Sequence, residues 1–333
     1  MSIYFEHKDK VLQDDRFEHM MALTLDPTSN YKKGLVRCIL NREGDVKEEG
    51  FVDKSELYIV EGDNLDKFTI KDKLDIKNEK EVIRQLSESG YEFLGLEDPD
   101  IWVDETGLIH LYFTMPFLEK NKNFQTMKIY LGHAVGDNLE SLEMLKPVLQ
   151  SEKETAKEVA IAPLNSRGVR YNLFESSIIE NDVWYSTVRI GIANNAGSLW
   201  KFGDTIIDPR IVNIDWLSGH ASPGPFFSKD YINVGDGMIL GVLNGREKNK
   251  VVKGKTVYGM FSVGLFVYNY EEGRVVWISK EPMIIDSEAT SVTFASQLVE
   301  IDDSTSILYA HVDDSFVRAY TLNINELLKL IEL

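Results

Sequence analysis

Gly95-Leu96-Glu97-Asp98-Pro99-Asp100-Ile101-Trp102, running on into VDETGLIHLYFT (103–114), reads as strand, polar turn, strand. Pro99 has a fixed φ and no N–H, so it holds Asp98 at a strand edge where the carboxylate is displayed rather than paired into a ladder. Similar short runs rich in Val, Ile, Tyr, Phe and Trp fill the chain between Gly, Asn and Asp turns. Examples are LYIV (57–60), MKIYLGHAV (127–135), DVWYSTVRIGI (182–192), MILGVLNG (238–245), VYGMFSVGLFVYNY (257–270), RVVWIS (274–279) and SILYAHV (306–312). Only KNEKEVIRQLSES (77–89) and INELLKLIEL (324–333) read as helices.

The strands fall into five units, 34–68, 100–142, 176–204, 237–279 and 296–322, and Gly-Asp-Asn-Leu recurs at 62–65 and 136–139. A repeat of roughly 60 residues suits sheets of about four strands set radially. The expected fold is all-β, a five-bladed β-propeller forming a single domain over 1–333 with a short C-terminal helix. A large β-sandwich or two all-β domains is the competing arrangement. MPFLEKNKNFQT (115–126) and SEKETAKEVAIAPLNSRGVR (151–170) fit no unit and read as insertions near a pocket mouth.

A formal net charge of -18 makes nucleic acid and anionic membrane surfaces poor partners. The single cysteine, Cys38 in LVRCIL (35–40), permits no intrachain disulfide and reads as a small buried residue. With no signal-like or membrane-length apolar run, cytoplasmic residence is the expectation. The six histidines show no metal-ligand spacing, and no cofactor is implied.

Asp98, Glu175, Asp313 and Asp314 each stand at the edge of a predicted strand, and their matching placement in successive units makes them candidates for one central pocket. Singly, each reads better as a turn or capping carboxylate than as a catalytic one, and it is the matching placement that favours the pocket. Arg37 and Arg189 lie inside apolar strands, where a charge needs a partner or a solvated cavity. They either pair with structural carboxylates or fix sugar hydroxyls, a carboxylate or an anion. WLSGHASPGPFF (216–227) reads as a rigid loop, with Trp216 placed to stack on a sugar and His220 to hydrogen-bond one, or as packing between units.

Taken in order, these residues resemble glycoside hydrolase family 130, the mannoside phosphorylases and β-mannosidases. YEFLGLEDPDI (91–101) is similar to the family's "YE…GvEDPRI", FESSIIENDVWYSTVRI (174–190) to "FPEKI.GkY…lhRp", and SGHASPGPFFSKDYINVGDGMILGVLNG (218–245) to "iG.GpPPi.t..GWL.iYHG". VYGMFSVGLFVYNYEEGRVVWISKEPMI (257–284) and VTFASQLVEIDDSTSILYAHVDDSFVRAYTLNINELL (292–328) resemble the two closing blocks. The resemblance implies a five-bladed propeller with Asp98 as proton donor. Arg37 and Asp314 would contact the sugar in the cleaved subsite, and Arg189 would help hold phosphate.

Three departures bear on the reaction. "EDPR" becomes Glu97-Asp98-Pro99-Asp100, "FPEK" becomes Phe174-Glu175-Ser176-Ser177, and "YHG" becomes Leu243-Asn244-Gly245. The lost Lys and His are groups a phosphate dianion needs. Hydrolysis of short β-mannosides or related oligosaccharides with inversion is therefore the expected activity, with Glu175 activating water. The sugar-contacting candidates are Arg37, Glu97, Arg189, Trp216, His220, Asn244, Tyr309, His311 and Asp314. Phosphorolysis with inorganic phosphate, an arabinan- or xylan-type propeller hydrolase, and a non-catalytic sugar-binding propeller are the alternatives. Homo-oligomerisation is left open.

Overall fold

The computed structural model describes residues 4–48, 50–120, 127–181 and 183–331. The chain is nearly all-β. After β1 (Phe5–Lys10), the first unit is β2 (Met20–Leu25), β3 (Lys33–Glu43), β4 (Val52–Asn64) and β5 (Lys67–Lys73), hydrogen-bonded in that order. The helix α1 (Glu79–Leu86) leads into β6 (Tyr91–Phe93), β7 (Glu97–Val103), β8 (Ile109–Glu119), β9 (Lys128–Gly136) and β10 (Glu143–Met144), in which β6 and β7 both pair with β8. A third unit comprises β11 (Lys157–Ala160), β12 (Arg170–Glu180), β13 (Val183–Ala193) and β14 (Lys201–Ile207). Next come β15 (His220–Phe226), β16 (Met238–Arg246), β19 (Phe261–Asn269) and β20 (Arg274–Ile278), with a hairpin of β17 (Lys250–Val252) and β18 (Lys255–Val257) between the second and third of them. The third and fourth units share one eight-stranded sheet, joined through a single parallel pair, Ser186 opposite His220. The last unit is β21 (Thr293–Asp302), β22 (Thr305–Val312) and β23 (Phe316–Asn323), and β1 adds to β23 as its fourth strand. It ends in α2 (Ile324–Leu328).

The sequence of the middle strands explains their place. SILYAHV is apolar along both faces, and β22 is buried almost from end to end. β5, by contrast, alternates exposed and buried residues, as an outer strand does. Five apolar clusters join neighbouring units. Leu35 and Leu57 pack with Leu111 and Phe113. Tyr112 and Leu131 pack with Phe174 and Trp200, and Leu173 and Val188 with Leu243 and Phe266. Val242 and Leu265 meet Leu308 and Tyr320, and Tyr309 and Val317 return to Leu23 and Val36 of the first unit. Buried tyrosines span these seams with their hydroxyls satisfied: Tyr112 donates to the Ala196 carbonyl at 3.0 Å, Tyr268 to Tyr171 at 2.8 Å and Tyr309 to Leu65 at 2.6 Å. Each such bond contributes on the order of 1 kcal/mol, and leaving its buried partner unsatisfied would cost more.

Several boundaries differ from the sequence reading. The expected helix over 77–89 is trimmed to Glu79–Leu86, and the C-terminal one to Ile324–Leu328. Of the expected insertion at 115–126, Met115–Glu119 continues β8, and 121–126 lie outside the described residues. The other, 151–170, contains β11, the first strand of the third unit. Cys38 is fully buried.

Candidate active site

The first strand of every unit carries one extra residue at the same place. Met21 and Thr24 oppose Arg37 and Leu35; Glu97 and Asp100 oppose Thr114 and Tyr112; Lys157 and Val159 oppose Glu175 and Phe174. Pro223 and Phe226 oppose Leu243 and Gly241, and Ala295 and Gln297 oppose Ala310 and Tyr309. Such bulges kink a strand and re-aim a side chain. Three of them place a non-glycine residue in the left-handed region: Ala22 at φ 50°, Asp98 at 45° and Glu158 at 48°. That conformation is strained for these residues and is held by the surrounding sheet. Asp98 and Glu158 alone bring ionisable chemistry to this position.

Both carboxylates line a cavity of 260 Å³. Arg37, Asp53, Glu97, His311 and Asp314 surround one side of it, and Lys157, His220 and Arg246 the other. Phe51, Trp184, Tyr258 and Phe261 add aromatic surface.

Arg37 organises the acidic side. Its guanidinium lies 2.7 Å from Glu97, 2.9 Å from Asp98 and 4.0 Å from Asp53, and it donates to the Ser55 hydroxyl at 3.2 Å. Burial works against its charge, but Glu97, Asp98 and Asp53 outweigh that and raise its pKa. Burial likewise pushes the Glu97 carboxyl upward against the pull of Arg37. Arg42 grips Asp53 with two bonds of 2.7 Å. Asp314 sits 3.2 Å from His311 Nε2; burial opposes its charge, yet that hydrogen bond keeps it below the usual carboxylate range.

On the other wall, Lys157 and Glu175 are cross-strand neighbours, and Glu175 is 3.1 Å from the Lys157 ammonium and 3.2 Å from His220 Nε2. Burial would raise the Glu175 pKa, but His220 and Lys157 hold it far down, so it is an anion. Glu158 behaves oppositely: burial, Asp98 and Glu175 push its carboxyl well up.

The sequence candidates divide. Arg37, Glu97, Asp98, His220, His311 and Asp314 come together at the cavity. Glu175 does not face it: mid-strand and fully buried, it lies behind Lys157 and His220, without the access a water-activating base needs. Arg189 turns outward to Glu154 at 2.6 Å and the Gly203 carbonyl at 2.9 Å, between Phe174 and Phe202, so it is a structural cation. Trp216 is packed under Gly245 and Gly264 and donates to the Ser279 carbonyl at 3.2 Å. Asn244 bonds both backbone groups of Ala295, and Tyr309 spans a seam. Asp313 caps the backbone of Thr290, Ser291 and Val292.

Sequence reasoning missed Lys157, Glu158, Asp53 and Arg246. A signal for the first two exists: Lys157-Glu158-Val159 repeats the charged–acidic start of Glu97-Asp98 at the mouth of a strand. Among the described residues, no group of three or more His, Cys, Asp or Glu side chains is arranged to hold a metal ion, and no helix is long and apolar enough to cross a membrane.

No protein-family model and no curated protein matches the sequence. Solved structures do match. The β-1,2-mannobiose phosphorylase from Listeria innocua aligns over 99% of this chain and 99% of its own at 14% identity, with a TM-score of 0.66. A structure from the GH130 family of mannoside phosphorylases, reported with glycoside hydrolases that target β-1,2 mannosidic linkages in Candida mannan, covers 96% of this chain and 94% of its own at 15% identity and TM-score 0.66. The endo-arabinase from Bacteroides thetaiotaomicron covers 98% of each chain at 11% identity and TM-score 0.53. At these identities the likeness is one of fold: this chain shares the all-β architecture of glycoside-cleaving enzymes over nearly its whole length.

Proposed function

We propose that the chain is a single-domain, five-bladed propeller that cleaves glycosidic bonds of short mannosides or related oligosaccharides in its axial cavity. The blade count is supported by five bulged first strands and by five seam clusters that run from the first unit round to the last and back. The substrate class draws on the mannoside-active proteins with this fold. The observation that carries the function is Asp98, held at φ 45° in a bulge and against Arg37, with its carboxyl in the cavity. A residue forced into a strained backbone to present one acid to a pocket is suited to protonating a leaving oxygen.

In this reading Asp98 gives its proton to the glycosidic oxygen, the C–O bond breaks, and an acceptor bonds to the anomeric carbon from the opposite face, inverting it. Aromatic walls at Trp184 and Tyr258 bind the sugar faces. The acceptor is water, whose proton passes to a cavity carboxylate. Glu175 serves by fixing Lys157 and His220.

A second reading, orthophosphate as acceptor, is favoured by one observation. The cationic side chains that the family-like motifs lack are replaced from other strands: Lys157 from β11, with His220 and Arg246 beside it. Incubation with mannobiose in phosphate-free buffer decides between them. Free mannose means hydrolysis; mannose 1-phosphate formed only on adding phosphate means phosphorolysis; no cleavage of any oligosaccharide or aryl glycoside rejects both.

A further inference from the structure

The hollow along the axis continues past the bulges. A second cavity of 190 Å³ lies beyond them, and Asp98 and Glu158 line both it and the first. A third, of 360 Å³, shares Trp102, Ile161, Phe226 and Leu298 with the second. The first strands lead from one to the next. β7 passes from Glu97 in the axial cavity to Trp102 in the outermost one, and the chain through β11 passes from Lys157 to Ile161.

Trp102 stands beside two polar groups with free hydrogen-bonding capacity. Asp100, two residues before it, is on the same face of β7. It is half-buried and lines the second cavity, and among the described residues its carboxyl has no hydrogen-bond or ion-pair partner. This is the position at which the resembled motif carries Arg. Arg170, at the start of β12, lays its guanidinium over the Trp102 ring, 4.8 Å from the centroid, and lines the third cavity. It donates one N–H to the Ala162 carbonyl at 2.7 Å and forms no ion pair among the described residues. Glu300, the carboxylate lining that third cavity, is engaged instead by the Ser228 N–H at 2.6 Å and hydroxyl at 2.7 Å. Water or a bound ligand must supply the bonds that Asp100 and Arg170 lack.

The three side chains fit one chemistry. An indole takes the apolar C–H face of a pyranose ring, and a guanidinium donates to its oxygens in a fixed fork. Burial pushes the Asp100 carboxyl up to about 7, so near neutrality it exchanges hydrogen bonds with hydroxyls in either direction. An anion would meet Asp100 and a cation would meet Arg170, which leaves a neutral polyol. Tyr31 and Phe226, both half-buried, add apolar wall.

We propose that the far end of the axis holds a second, non-catalytic saccharide site, with Trp102 as its platform and Asp100 and Arg170 as its hydroxyl-binding groups. None of the three lines the axial cavity, so the site is independent of the cleavage reading and gives the protein a separate hold on its sugar.

The test is an NMR titration of the whole chain with mannose, which has no glycosidic bond to cleave. It follows the indole N–H signals of the five tryptophans, each assigned by a Trp→Phe variant. Trp184 lines the axial cavity and Trp102 the far ones, so each site has its own reporter. The Trp102 signal is expected to shift along a saturating curve of its own. Arg170→Met and Asp100→Ala, made separately, are each expected to weaken that curve about tenfold or more and to leave the Trp184 curve in place. A Trp102 signal that does not move, or a curve unchanged in both variants, overturns the site. The two readings fail separately. Trp184 responding alone rejects the far site and leaves the cleavage reading standing, whereas Trp102 responding alone in a protein that cleaves no glycoside keeps the far site and rejects that function.

Discussion

The carboxylate of Glu175 lies 3.1 Å from the ammonium of Lys157, its cross-strand neighbour, and the pair is set with the Lys facing the cavity and the Glu sealed behind it. Glu175 therefore acts on substrate only through the groups it holds. Glu175→Ala leaves Lys157 without its buried counter-ion and is expected to cost about 3 kcal/mol in a denaturant titration. Lys157→Met combined with Glu175→Leu is expected to recover most of that stability. A single Glu175→Ala variant as stable as wild type would reject this role.

Asp98→Asn keeps the side-chain shape and removes the proton. Its kcat on mannobiose is expected to fall by about 10²- to 10⁴-fold with KM little changed. Turnover at the wild-type rate would move the donor elsewhere.

His133 is buried beneath the second unit, 3.0 Å from His110 and stacked on Tyr112. Burial, reinforced by His110, pulls its pKa from 6.5 to about 3. Its folded-state pKa is depressed, so its share of stability is fully present above pH about 6.5 and is lost as pH falls toward 3. Over that window the unfolded chain binds the additional proton. Equilibrium unfolding measured from pH 7 to pH 4 is expected to show falling stability, with a shallower slope in His133→Asn. Equal slopes would remove His133 from the acid response.

Trp216 supports strands rather than sugar. A Cβ at Gly245 or Gly264 would lie 2.4 or 2.5 Å from its indole, so both glycines are required by the ring that packs on them. Trp216→Phe is expected to lower stability by about 2 kcal/mol and leave KM for mannobiose unchanged. A raised KM at unchanged stability would return Trp216 to the site.

Some of this was legible in the sequence. Second strands such as SILYAHV and MILGVLNG are continuous apolar runs because sheets cover both their faces. The first strands were harder to read. A bulge inserts one residue and inverts the alternation halfway, so Lys157–Ala160 and His220–Phe226 follow neither strand period, and the first passed for an insertion. The same limit applies to the site. Arg37 and Arg189 look alike as charges in apolar strands, but one faces the cavity and the other a seam between aromatic rings. Period alone does not separate these outcomes when both faces of a strand are covered. Asp98 was legible because Pro99 marks the bulge; Glu158, followed by Val159, has no such marker.

The pairing of Phe5–Lys10 with Phe316–Asn323 gives the last unit its outer strand from a distant part of the chain. Without Phe5–Lys10 the outer edge of Phe316–Asn323 would carry unpaired backbone groups, and an edge of that kind is open to other chains. Phe5–Lys10 therefore also guards this chain against edge-to-edge association.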